Sequence, residues 1–137
     1  MRFTFTTALL TIFLLACNRP EGFKSPEDPL HAGREFVRAV LDGDYERAQL
    51  YIQDNPEDRE LFIRYSRYMK GQSQKERLQL KSASIIINKV ETLADSVSII
   101  NFSNSYAMKP MDLKIVRENK EWKIDFSYTF SGNLSIQ

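Results

Sequence analysis

Apolar and polar positions divide this chain into a leader that is uncharged from Phe3 to Cys17, a proline-rich spacer, a half with helical period and a half with period two. Between Leu30 and Leu41 the apolar positions Leu30, Phe36, Val37, Val40 and Leu41 fall on one helical face, and Gly43 stops that helix. Asp44 caps a second, short helix carrying Tyr45, Ala48, Tyr51 and Ile52, which Asn55-Pro56 ends. Pro56 suits the first turn of a third helix, with Glu57, Asp58 and Glu60 at its positive end. Its apolar face is Leu61, Phe62, Tyr65, Tyr68 and Met69; Gly71 closes it, and Ser73 to Gln79 add one or two further turns.

From Ser82 onward the period becomes two. Ser84 to Glu91, Ser96 to Ser103, Met111 to Arg117 and Glu121 to Tyr128 read as four strands with hairpin-short connections. Met111, Leu113 and Ile115, and Trp122, Ile124, Phe126 and Tyr128, alternate with polar or smaller neighbours, and the Met111-to-Ile115 and Trp122-to-Phe126 sets are expected to face inward. Asp112 and Asp125 then fall on the opposite face. Helices first and an antiparallel meander after predict an α+β fold, with N-terminal helices packed on a curved four-stranded sheet. Val97 and Ile99 lie opposite Ile100 and Phe102, and Ile85 and Ile87 opposite Ile86 and Val90, so apolar groups are expected on both faces. A cover for the outer face is expected from that pattern, either a homodimer formed sheet to sheet or the tail from Thr129 to Gln137.

The leader carries a different kind of information. Arg2 precedes an apolar run from Phe3 that ends in Leu14-Leu15-Ala16-Cys17, and Asn18, Arg19 and Pro20 follow too soon for a membrane-spanning helix of about 20 apolar residues. A positive start, an apolar centre and a small residue before the cut describe a cleaved signal segment. Leu14-Leu15-Ala16-Cys17 resembles the lipobox of bacterial lipoproteins, which implies cleavage after Ala16, lipid on Cys17 and anchorage to a membrane of the bacterial cell envelope, the outer one favoured. The expected organisation is therefore a signal peptide over 1–16, a lipidated Cys17 with a flexible tether over 17–29, and one domain over 30–137.

Loss of Arg2 with the leader takes Lys plus Arg from 19 to 18, equal to the 18 Asp plus Glu, so nothing electrostatic favours nucleic acid. Cys17 is the only cysteine; once lipidated it leaves no thiol for disulfide, catalysis or metal.

Ala39-Val40-Leu41-Asp42-Gly43-Asp44-Tyr45-Glu46-Arg47-Ala48, followed downstream by Glu121-Trp122-Lys123-Ile124-Asp125-Phe126, resembles small envelope lipoproteins of the nuclear transport factor 2-like (cystatin-like cone) superfamily, closest to the lumazine-binding-like domains. The likeness spans roughly Leu30 to Tyr128. It implies a helix-turn-helix at the Gly43-Asp44 turn and a final strand whose Trp122 packs under the helices. Members of that superfamily include isomerases, dehydratases, ligand binders and oligomerisation modules, so the likeness implies fold more than activity.

The search for catalytic groups is thin. His31, the sole histidine, sits in a first helical turn without companions for a metal, and Asp42 and Asp44 are accounted for by a helix stop and a cap. No cofactor and no metal are expected. Tyr51, Tyr65, Tyr68, Trp122 and Tyr128 are the candidate lining of an apolar cleft that binds a small apolar or aromatic ligand without catalysis. An isomerase- or hydrolase-like enzyme would instead need a cavity carboxylate, and a scaffolding module would need no cavity. Asp95-Ser96-Val97, at the first hairpin turn, has the pattern of an O-glycosylation acceptor of Bacteroidetes envelope proteins.

Overall fold

The computed structural model describes residues 20–133; the leader, Cys17 and the last four residues lie outside the described residues. Helix α1 (Pro29–Asp42) starts where the Asp28 carboxylate accepts the N–H of His31 at 2.7 Å and Pro29 supplies a preset φ. It ends at Gly43, whose φ of 75° is left-handed, and Asp44 then caps α2 (Tyr45–Gln49) by accepting the N–H of Arg47 at 3.0 Å. Asn55 caps α3 (Pro56–Lys70), and a reciprocal Ser73 and Glu76 box caps α4 (Gln74–Ser82), which is longer than its sequence suggests.

Strands β1 (Ile85–Ala94), β2 (Val97–Asn104), β3 (Met111–Glu118) and β4 (Glu121–Asp125) form one antiparallel sheet in chain order, so the α+β layout expected from the periods is present. Helix α1 lies across its middle. It can approach closely because Gly33 has no Cβ: one built there would sit 3.0 Å from Ile115 Cδ1 and 3.2 Å from Ile100 Cδ1. Ile100, Leu113, Ile115 and Ile124 are buried on the helix side together with Trp122, over which the Arg117 guanidinium lies 5.8 Å from the ring centroid.

The last strand departs from expectation. It stops at Asp125, and Phe126 to Asn133 form helix α5, so Tyr128 is a helical residue. The Asp125 carboxylate accepts the N–H of Tyr128 at 3.1 Å and the hydroxyl of Ser127 at 3.0 Å. Asp58, fully buried in the first turn of α3, accepts from the N–H groups of Phe126 at 3.1 Å and Ser127 at 2.9 Å. Two carboxylates thus satisfy the free amides of one helix start, which overrides the alternation of Trp122, Ile124, Phe126 and Tyr128.

A bulge changes β1. The register slips between Ile87 and Lys89, so Val90 pairs with Ile100 and shares the helix side with Ile87, where the bare alternation had put them on opposite faces. The outer face holds Ile86, Val97, Ile99 and Val116, none fully buried, interleaved with polar groups. Among these, Asn101 donates to Asp112 at 2.7 Å, and Lys114 pairs with Asp125 at 2.9 Å.

The free edge of β4 is partly covered. Ile124 donates to Tyr51 O at 2.7 Å and accepts from Gln53 N at 3.0 Å, a short parallel bridge that blunts the edge. The segment expected to be a free tether is also held: Pro26 is buried, and the Phe23 ring meets Tyr51 edge-on at 5.3 Å with the Lys123 ammonium 5.9 Å from its centroid.

Candidate functional site: an apolar cavity between helices and sheet

Phe36, Phe62, Tyr65 and Phe126 form an aromatic cluster with centroid separations from 5.3 to 6.3 Å, which fills the space between α1, α3 and α5. Beyond it the packing stops. Helix α4 (Gln74–Ser82) buries none of its residues, because its sequence turns Leu78 to solvent and offers only Leu80 inward. The result is a cavity of about 250 Å³. Its helical wall is Phe36, Val37, Val40, Leu41, Tyr65, Tyr68, Met69 and Leu80; its sheet wall is Phe102, Met111 and Leu113; Phe126 and Thr129 of α5 and the β2–β3 loop complete it. That loop contributes Ala107 and Lys109.

Of the five aromatic residues singled out in the sequence, the structure brings Tyr65 and Tyr68 to this cavity. Tyr65 packs against Phe62 and Phe126, and burial, followed by the neighbouring Tyr45 and Tyr68, pushes its hydroxyl well above the ordinary tyrosine range. Tyr68 stands half exposed at the rim. The other three are elsewhere. Tyr51 is buried beneath Phe23, Trp122 is buried on β4 beside Arg117, and Tyr128 lies on α5 with the Lys114 ammonium 5.4 Å from its ring centroid. Burial first and the Glu35 carboxylate second raise the pKa of the Tyr51 hydroxyl.

No Asp, Glu or His lines the cavity. Asp112 and Asp125 face away from the helices, as the alternation predicts, and Asp125 is tied into ion pairing and helix capping. Burial pushes the Asp125 carboxyl up, but hydrogen bonds from Lys114, the Tyr128 amide and Ser127 outweigh it and hold it below its ordinary value. Asp58 is a buried carboxylate that sequence reasoning placed only at the positive end of α3; both its oxygens are engaged by α5. His31 is exposed, and no cluster of three potential metal ligands occurs among the described residues.

Three polar residues of the cavity, Asn104, Lys109 and Thr129, were not foreseen. Thr129 was assigned to the tail, and nothing in its neighbourhood marks it. Lys109 could have been noticed as a cation next to Pro110 at a strand junction, three residues before Asp112. Three other hollows are larger, about 350 Å³ beside Gln53, Arg59 and Glu118, about 290 Å³ beside Asp42, Lys70 and Arg77, and about 560 Å³ along the docked segment with His31, Glu35 and Arg47, but all three are lined by charged groups. Asp95 and Ser96 are exposed at the tip of the β1–β2 hairpin.

No family model, curated protein or solved structure matches this chain. No helix among the described residues is long and apolar enough to cross a membrane.

Proposed function

We propose that this protein is a bacterial envelope lipoprotein, held to the membrane by lipid on Cys17, whose nuclear transport factor 2-like cone binds a small, largely apolar ligand without catalysing its conversion. The cavity of about 250 Å³ between helices and sheet carries this reading: it is concave, walled by aliphatic and aromatic side chains and supplied with few polar groups. The order of elements, helices and then an antiparallel meander, agrees with the cone expected from the resemblance.

Protein purified from its own host in phospholipid nanodiscs and examined by native mass spectrometry tests both halves. The expected spectrum shows the acylated chain plus a second, non-covalent mass, the latter missing from a Val40→Phe variant that fills the cavity. A chain without acyl mass sinks the anchor, and a chain that never carries a small molecule sinks the binding function.

A further inference from the structure

Charge is distributed unevenly over this molecule. Residues 20–60 carry five basic and eleven acidic side chains and 85–133 carry six of each, whereas 61–84, the later part of α3 and all of α4, carry six basic and one acidic. That acid, Glu76, is engaged with Ser73 in the capping box. Arg64, Arg67, Lys70, Lys75, Arg77 and Lys81 are all exposed, and none of them makes an ion pair among the described residues. Apolar side chains stand between them. Ile63, Tyr68 and Leu78 are 45 %, 48 % and 57 % exposed; Ile63, Arg67 and Lys70 share one stripe of α3, and Lys75, Leu78 and Lys81 one stripe of α4.

The two helices meet at the cleft of about 290 Å³, where Lys70, Arg77, Leu78 and Lys81 surround Tyr45. The Lys70 ammonium lies 5.5 Å from the Tyr45 ring centroid, and the Arg77 charge opposes the burial that raises the pKa of the Tyr45 hydroxyl. The only acid of the cleft, Asp42, is held by Arg38 at 2.9 Å and lies 3.8 Å from Arg47. Unpaired cations with exposed apolar groups among them suit an anionic bilayer surface, where ammonium and guanidinium groups meet phosphates and the apolar groups enter the headgroup boundary. Position agrees with this. On α2, Tyr45 lines the cleft while Glu46 and Arg47 line the hollow along the docked segment, so cleft and segment flank one short helix. That segment begins at Pro20, three residues after Cys17, which keeps the basic face close to any lipid carried there.

Resting on the anchorage through Cys17, we infer that the later part of α3 together with α4 is a docking surface for anionic phospholipid, which lays the domain against the bilayer on that side. The same bilayer repels the acidic 20–60 region, so the two charge regions together select one orientation. Tyr68 also lines the apolar cavity, and docking therefore turns the rim of that cavity toward lipid.

Methyl NMR of the full acylated chain tests this in phosphatidylcholine nanodiscs with and without about 25 % phosphatidylglycerol, each holding a trace of lipid with a nitroxide headgroup. With phosphatidylglycerol, Ile63 and Leu78 are expected to bleach about threefold more than Leu93 of the β1–β2 hairpin, a contrast that about 1 M salt abolishes by shortening the screening length to about 3 Å. Arg77→Gln combined with Lys81→Gln is expected to weaken the bleaching of Leu78 about threefold and to leave the thermal midpoint in place. Equal bleaching in the two lipids, bleaching unchanged in the double variant, or stronger bleaching of Leu93 than of Leu78 overturns the docking surface. Relief of the bleaching by an equimolar oligonucleotide would mark a nucleic-acid site and overturns the lipid assignment. A sample whose mass lacks acyl groups sinks the anchor and this inference with it, whereas an acylated chain with Ile63 and Leu78 unbleached sinks the docking alone.

Discussion

Helix α1 separates two regions of unequal density. Toward β3, β4 and α5 it meets Leu113, Ile115, Ile124, Phe62 and Phe126, each no more than 2 % exposed. Toward α4 and β1 it meets a helix that buries nothing and a strand whose last seven residues are exposed. Helix α4 is held there by polar links: the Arg38 guanidinium donates to Ala83 O at 2.8 Å, Lys81 O at 3.0 Å and Asp42 Oδ1 at 2.9 Å. One side is a core and the other a lid on struts. The cavity lies at their boundary because the lid brings too few apolar groups to fill it, so polarity of α4 (Gln74–Ser82) is what leaves this space open.

Substitutions can break that contrast. Phe62→Ala on the dense side should cost about 3 to 5 kcal/mol, whereas Leu78→Ala on α4 should stay within about 0.5 kcal/mol in denaturant titration. Similar losses at the two sites would erase the distinction. Asp58→Ala should cost about 3 kcal/mol, since it strands the amides of Phe126 and Ser127 inside the protein. If Asp58→Ala melts like the parent, α5 is not capped from α3.

Arg38→Ala should cost about 1 to 2 kcal/mol and speed amide exchange in α4 (Gln74–Ser82) while α3 and the sheet stay protected. Uniform deprotection would mean that α4 belongs to the same cooperative unit as the core. Thr129→Val, by contrast, should stabilise by about 1 kcal/mol, because it deletes a buried hydroxyl with no partner. A lower melting temperature would show that the hydroxyl is satisfied after all. The smallest effect is expected from acid. Because the folded Asp125 carboxyl sits below its ordinary value of 3.8, its contribution is present above that pH and fades as pH falls through the lowered folded value. Asp125→Asn should flatten that part of the stability curve, and an unaltered acid limb would exclude Asp125 as a source.

The elements themselves were legible where caps and periods agreed. Asp44 after Gly43, Asn55 before Pro56 and the alternation around Leu113 each place an element from a few adjacent residues. Helix α5 was not legible, because Phe126 and Tyr128 continue the alternation of a strand and the decisive carboxylate, Asp58, comes from 68 residues earlier. The bulge at Asn88 has no local signature either, so the face of Val90 could not be read by counting. For the site, aromatic content pointed to Tyr65 and Tyr68, but Tyr51, Trp122 and Tyr128 have the same composition and different places. Thr129 matters only through what fails to reach it, which no sequence pattern records.

The docked Phe23 has a consequence for how far the protein can search. A free chain from Cys17 to Leu30 would let the domain roam within about 45 Å of its lipid, at about 3.5 Å per residue. With Phe23 seated on Tyr51, six residues remain and the radius drops to about 20 Å, so the volume swept shrinks by about tenfold. If Cys17 carries lipid as proposed, the domain would be a stub on the bilayer rather than a float on a line. Under the proposed function, the cavity would then meet chiefly what leaves or enters the adjacent leaflet, at the high local concentration that short leashes impose.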